Sequence, residues 1–125
     1  MEILIDSPDE KRLRSELEKS SDPEAARISR FLAMPDLSRT SDNPIAELVK
    51  HISGLSIFKG FDKIKAPEIV STEISFDLFN FSPEHPARSR SDTYFVDNNH
   101  ILRPHTTVMW YYHLAQPEVK KRLGR

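Results

Sequence analysis

Between Ser7 and Ser20, leucines fall at positions 13 and 17 within an otherwise charged run, a four-residue spacing that makes a narrow apolar stripe on one helix face. Ser7, Pro8 and Glu10 supply its start signal: a hydroxyl that can cap, a proline suited to the first helical position, and an acid placed to complete a capping box. Asp22, Pro23 and Glu24 repeat that signal before a second helix, where Ile28, Phe31 and Leu32 share a face. A helical hairpin or arm is expected. Residues 35–44 are rich in helix breakers and read as a loop. Asn43 and Pro44 then open a third helix with Ile45, Leu48, Val49, Ile52 and Leu55 at helical spacing, and Gly60 is placed to end it. A stripe that continuous faces either a core or a partner.

Further on the periodicity shortens. Residues 61–71 read as one extended segment, although Pro67 lacks a ladder donor and so points to an edge or interface strand. Phe76, Phe79 and Phe81 bring more aromatic mass than a surface loop carries and are assigned mostly to the core. DTYFV and HILR flank Asp97, Asn98 and Asn99, and because Asn tolerates left-handed backbone, a short antiparallel hairpin is predicted. Pro104 ends it. Thr106 or Thr107 can cap a helix carrying Val108, Met109, Trp110, Tyr111, Tyr112 and Leu114, and Pro117 starts a last short helix running into a basic tail. The pattern predicts an α+β fold, with residues 1–43 as a helical arm and linker and residues 44–125 as the sheet-bearing part.

At 125 residues the chain fits one domain. Eighteen basic against 19 acidic side chains give a formal net charge of -1, so no overall field advertises nucleic acid or acidic lipid. The absence of cysteine excludes a disulfide framework and a thiolate zinc site, and suits a reducing cytoplasm. No run of about 18 apolar residues suggests a membrane span, and the start does not read as a signal peptide. Residues 85–107 concentrate His85, His100 and His105 with Arg88, Arg90 and Arg103, which invites a metal or hydrolase reading. Neither fits the spacing: there is no HExxH, no GxSxG, and Gly54, Gly60 and Gly124 are too scattered to cradle phosphates, so no metal site is expected.

What stands out is the order of short motifs: Gly60-Phe61, Ala66-Pro67-Glu68-Ile69, Ser75 to Asn80, His85-Pro86-Ala87-Arg88, Asp92-Thr93-Tyr94-Phe95 and Leu102 to Thr107. This series resembles the GF...GPEIE, NFDALN, HPARD, DTF and LLRTHTS segments in the catalytic domain of phenylalanyl-tRNA synthetase alpha subunits, a class II aminoacyl-tRNA synthetase family. The resemblance covers about residues 44–114 and implies part of the class II antiparallel sheet with flanking helices. It makes the Pro44 helix and the strand through Pro67 motif 1, with Pro67 and Glu68 at a dimer interface. His105 and Thr107 match the family's residues for the phenylalanine ammonium group, and His85, Arg88, Asp92, Thr93 and Arg103 become structural residues near that site.

From the residues alone, His105 and Thr107 read as a helix cap in preference to a substrate contact, and Arg88 can pair with Asp92 or Glu84. Departures from the pattern are Thr107 for serine, Pro104 for threonine, and Ser91 where some members carry a large aromatic. The resemblance further implies phenylalanine, tRNA, a beta subunit and a second alpha copy as partners, and ATP with Mg2+ in the complete enzyme. The motif 2 and motif 3 arginines that meet ATP do not occur after Leu114. These 125 residues alone are therefore expected to bind neither ATP nor Mg2+ tightly and to be inactive, since adenylate formation depends on neutralising the phosphates. The alternative is a non-catalytic synthetase-like module that binds protein or RNA, or a structural domain with a vestigial pocket.

Overall fold

The computed structural model describes residues 1–124. Among these, β1 (Glu2–Leu4), α1 (Pro8–Lys19), α2 (Pro23–Leu32), α3 (Pro44–Ser53), β2 (Lys63–Lys65), β3 (Ile69–Ser71), α4 (Thr72–Ser75), β4 (His100–Leu102), α5 (Val108–Ala115) and α6 (Pro117–Arg122) alternate with 3₁₀ turns. The fold is a mixture of helices and small sheets, as the pattern predicted. None of these helices is long and apolar enough to cross a membrane.

The first three helices start where the sequence signals stand. Ser7 accepts from the Glu10 N–H, Asp22 from Glu24 and Asn43 from Ile45, at 3.2, 3.0 and 2.9 Å. Each such cap stabilises its helix by about 1 kcal/mol. The other half of the capping box does not form at α1. The Glu10 carboxylate instead receives Arg14 and the backbone N–H of Glu68, the latter at 3.2 Å. With α1 packed on β3, that partly buried donor has more to lose by going unpaired than an exposed one at the helix end.

α3 ends earlier than expected, at Ser53, with Gly54 and not Gly60 at the cap. Glycine has the weakest helix propensity after proline, so the helix gives way there and Leu55 falls outside it. A 3₁₀ turn over Ser56–Phe58 follows before Gly60 enters the left-handed region at φ 87. α3 buries no residue: Ile45, Leu48, Val49 and Ile52 are 41–58% exposed. Within this chain the stripe does not face the core.

The extended segment at 61–71 is broken into two strands in different sheets. β2 pairs in parallel with β1, in the register Glu2 to Lys63, and β3 pairs antiparallel with β4, with Val70 opposite Ile101. Pro67 lies in the connector between them and is buried. A prolyl nitrogen supplies no ladder donor, so pairing lapses at that point. Arg103 holds the connector: its Nη1 donates to the carbonyls of Ala66 (2.9 Å) and Pro67 (2.7 Å), and its N–H donates to Glu68 O (2.8 Å).

The hairpin forms with a different turn. Val96 N–H donates to His100 O (2.8 Å) and Leu102 N–H to Tyr94 O (2.9 Å), and Phe95 bridges Ile101. Neither Asn98 nor Asn99 takes a positive φ; the left-handed non-glycine residues are Asp42 and Asn80. The Asp97 carboxylate closes the turn by accepting from Asn99 N–H (2.7 Å) and bonding the His100 ring (2.9 Å), an Asx turn that removes the need for left-handed backbone.

Two apolar clusters meet at this sheet. Leu13, Leu17, Ala25 and Ile28 pack with Ile69, joined by the half-buried Leu32, Val96 and Leu102. Residues 1–43 thus share a core with β3 and β4. The second cluster joins Val70, Phe76 and Ile101 to Phe81, Ala87, Phe95 and Tyr112. At roughly 1.5–3 kcal/mol for each large apolar side chain taken out of water, these two clusters carry most of the fold's driving force.

Candidate functional site

The second cluster is also the floor of the candidate site. Ser71 caps α4 by accepting from Ile74 N–H, and the chain turns at Asn80 in the left-handed region, φ 59, a conformation asparagine adopts more readily than most residues. This turn brings Phe79 and Phe81 against His105, with ring centroids 5.5 and 6.2 Å away. Phe81 also stacks between Phe76 (5.8 Å) and His85 (4.5 Å).

Both His105 nitrogens are engaged. Nε2 lies 3.0 Å from the Ser75 carbonyl, and Nδ1 is hydrogen-bonded to the Thr107 hydroxyl. A carbonyl can only accept, so Nε2 carries a proton, and in the neutral ring Nδ1 then accepts from Thr107. The imidazole has no acceptor left for a ligand. Thr107 is an exposed residue, and its oxygen, donating its proton to the hydrogen bond with His105, keeps lone pairs that can accept. Thr107 occupies the position before α5 in helical backbone and makes no side-chain cap bond, so the capping reading of this residue does not hold.

The residues expected around the site separate into distinct jobs. His85 Nδ1 accepts from Ala87 N–H (3.1 Å) and so opens the 3₁₀ turn of HPAR. Arg88 pairs with neither Asp92 nor Glu84: both terminal nitrogens donate to Asp77 Oδ1 (2.8 and 2.6 Å), and its guanidinium lies 5.1 Å from the Phe76 ring centroid. Thr93 is buried and donates to Ala87 O (2.6 Å), while Asp92 is exposed and receives only Ser91 Oγ, at 3.4 Å. Arg103 points away to the Pro67 connector. Glu68 meets Arg14 of α1 at 2.6 Å.

Two participants escape a reading of the sequence, Asp77 and the Ser75 carbonyl. Asp77 lies inside the FDLFN motif, but a single acid among phenylalanines does not announce an arginine eleven residues on. A backbone carbonyl carries no sequence signal at all. A cavity of about 530 Å³ lies apart from His105 and Thr107, lined by Phe61, Ile64, Met109, Trp110 and His113 among others. Among the described residues no three His, Asp or Glu side chains gather to hold a metal ion. Arg14, Arg39, Arg88 and Arg122 are already paired with carboxylates.

The half-buried Phe79 and Phe81, the oriented His105 ring and the Thr107 hydroxyl bonded to it thus stand together beside the second cluster. The family described as tRNA synthetases class II core domain (F) matches residues 29–123. The chain belongs to that class II synthetase core family. Its relatives include proteins named phenylalanine–tRNA ligase alpha subunit. That of Persephonella marina is 35% identical over 97 residues, covering 78% of this chain and 26% of the relative. That of Pelobacter propionicus is 42% identical over 67 residues, covering 54% and 20%. That of Leptospira biflexa is 32% identical over 76 residues, covering 61% and 22%. The chain therefore spans 20–26% of the length of these curated relatives. No solved structure matches it. The class II match begins inside α2, at residue 29, and so takes in part of the helical arm along with the sheet.

Proposed function

We propose that these residues are the amino-acid-recognition part of a phenylalanine–tRNA ligase alpha subunit, which activates phenylalanine with ATP and Mg2+ and transfers it to tRNA. The observation that carries this reading is the His105–Thr107 pair standing on the Phe79 and Phe81 platform within a class II synthetase core. Thr107 is the ammonium acceptor: the residue is exposed, and with its hydroxyl proton directed to His105 its oxygen is left to accept. His105 is a positioning residue, acting on the ligand through Thr107. The extra methyl of threonine, compared with the family's serine, restricts rotation about χ1 and helps hold that direction.

The bond-making step belongs to residues outside this set. Arg88 and Arg103 hold a turn and a connector, and the 125-residue chain by itself is expected to show no phenylalanine-dependent exchange between ATP and pyrophosphate. tRNA, a beta subunit and a second alpha copy are the partners the reading implies, in the cytoplasm. The apolar face of α3 supports an association role, since Ile45, Leu48, Val49 and Ile52 stand uncovered within the chain.

The test is Thr107→Val in a complete subunit. Losing a hydrogen bond to a charged group costs about 1.5–3 kcal/mol, so KM for phenylalanine should rise roughly ten- to a hundredfold with kcat little changed. An unchanged KM would refute Thr107 as the ammonium acceptor.

A further inference from the structure

The first strand has an unusual attachment. β1 reaches β2 across some sixty residues of chain and joins it in parallel, with Lys63 N–H donating to Met1 O (2.9 Å) and Ile5 N–H to Lys65 O (3.0 Å). Very little apolar burial accompanies this. Leu4 is 69% exposed, and of the three strand residues only Ile3 is half-buried. The strand is held by backbone bonds and charge, in the low-stability range where local opening occurs without global unfolding.

The charge is specific. Lys63 and Lys65 are the outer positions of β2; Glu2 is opposite Lys63 and Leu4 opposite Lys65, with Arg39 bonded directly to the Glu2 carboxylate. Arg39, and behind it Lys63 and Lys65, holds the Glu2 carboxyl below the usual range despite the opposing effect of desolvation. One acid thus meets Arg39 directly and has Lys63 as its ladder neighbour. Antiparallel pairing of β2 with a second β2 would set Lys63 opposite Lys65, and like charges directly opposite destabilise a ladder. The edge therefore selects against its own copy and for an acid-bearing strand.

The helix that follows is anchored independently. Leu13 and Leu17 are buried against Ile69, and Glu10 and Arg14 engage Glu68. β1 can therefore leave β2 by pivoting at Ile5 and Asp6, with Ser7 kept as the cap of α1.

We propose that the β1-facing edge of β2 is a strand-docking surface for an extended segment carrying a carboxylate, and that residues 1–6 are its exchangeable intrachain occupant. Docking is by main-chain bonds to Lys63 and Lys65, with the acid that meets Arg39 beside the lysine edge supplying selectivity, the mode of β-strand addition. A segment of another protein with this chemistry binds only as β1 is displaced. The docking edge is separate from the amino-acid site, and its test does not involve phenylalanine.

The test uses the full chain and the full-length variant Ile5→Pro, which deletes one strand bond and keeps every core residue. Amide exchange at Lys63 is read by NMR, with the peptide MEILID added as probe. In the parent chain Lys63 should be protected and should take up no peptide. In Ile5→Pro its exchange should be at least roughly tenfold faster, the loss of about 1.4 kcal/mol of local protection, and the peptide should restore protection saturably. A peptide with lysine in place of its glutamate should bind several-fold more weakly. Retained protection at Lys63 in Ile5→Pro, or an open edge that takes up neither peptide, would overturn the proposal. So would equal binding of the two peptides. Glu2→Lys in the full chain, an exposed change that does not touch the core, is the second variant: unchanged Lys63 exchange there would likewise count against it.

Discussion

Leu13 is 1% exposed and sits where α1, α2 and β3 meet, in contact range of the cluster formed by Leu17, Ala25, Ile28 and Ile69. Leu13→Ala removes most of that side chain and leaves a void whose walls come from three elements. Ile69 is tied into the β3–β4 ladder and Ala25 and Ile28 into α2, so the walls cannot all move in. The cost is therefore expected near the middle of the usual 2–5 kcal/mol range for buried leucine, about 3 kcal/mol. A domain of this size has roughly 5–15 kcal/mol in total, so the fraction lost is large and Tm should fall by about 10 °C. The assay is urea denaturation followed by far-ultraviolet circular dichroism, which reports all helices, and by fluorescence of Trp110, which reports α5 alone. Because the arm shares its core with β3 and β4, both midpoints should shift together. A dichroism transition that shifts while the Trp110 transition stays would show that residues 1–43 unfold as a unit of their own. A common shift worth less than about 1 kcal/mol would show that the site collapses freely.

Two further outcomes concern the surface and the hairpin. Leu48→Glu places a charge on the exposed face of α3, so stability should stay within about 0.5 kcal/mol, while the mass seen by light scattering should move toward monomer; an unchanged association state would remove α3 from the interface. At Asp97, desolvation pushes the carboxyl pKa upward, but the Asn99 N–H and the His100 ring more than offset it and leave the pKa lowered. A depressed folded-state pKa contributes stability that is present above the unfolded value of about 3.9 and is lost as pH falls through the lower folded value. Asp97→Asn should therefore flatten that acid limb by less than about 1 kcal/mol, because the carboxylate is partly solvent-screened; urea midpoints between about pH 2 and 6 that remain parallel to those of the parent would refute it.

Much of the local architecture is legible in the sequence because it is decided within a few residues. The starts at Ser7, Asp22 and Asn43 depend on a side chain reaching an N–H two or three positions away, and the stripe of α3 depends only on helical period. The order of motifs from Gly60 to Thr107 is legible for a different reason: each short segment is a local chemical need, a turn, a cap or a platform, and their series marks the class II core. The end of α3 is not, because Gly54 yields before Gly60 has a role. Nor is the hairpin turn, because Asp97 supplies a side-chain alternative to left-handed backbone at the asparagines.

Pairings across long separations are hidden from the sequence. Glu10 has a local role open to it in a capping box, and only the packing of α1 on β3 gives it the Glu68 N–H instead. Arg88 has acids nearer in sequence than Asp77, but the fold of the Phe76 to Phe81 turn puts Asp77 within reach. His105 and Thr107 look like two equal acceptors until the Ser75 carbonyl, thirty residues back, sets the tautomer and makes one of them the orienter of the other. Where helices begin, which faces are apolar and which family's motifs are present follow from residue order alone, because those depend on short-range sterics and hydrogen bonds. Which donor meets which acceptor is a matter for the folded chain, because burial makes an unpaired group costly and packing, not proximity along the chain, chooses the partner that prevents it.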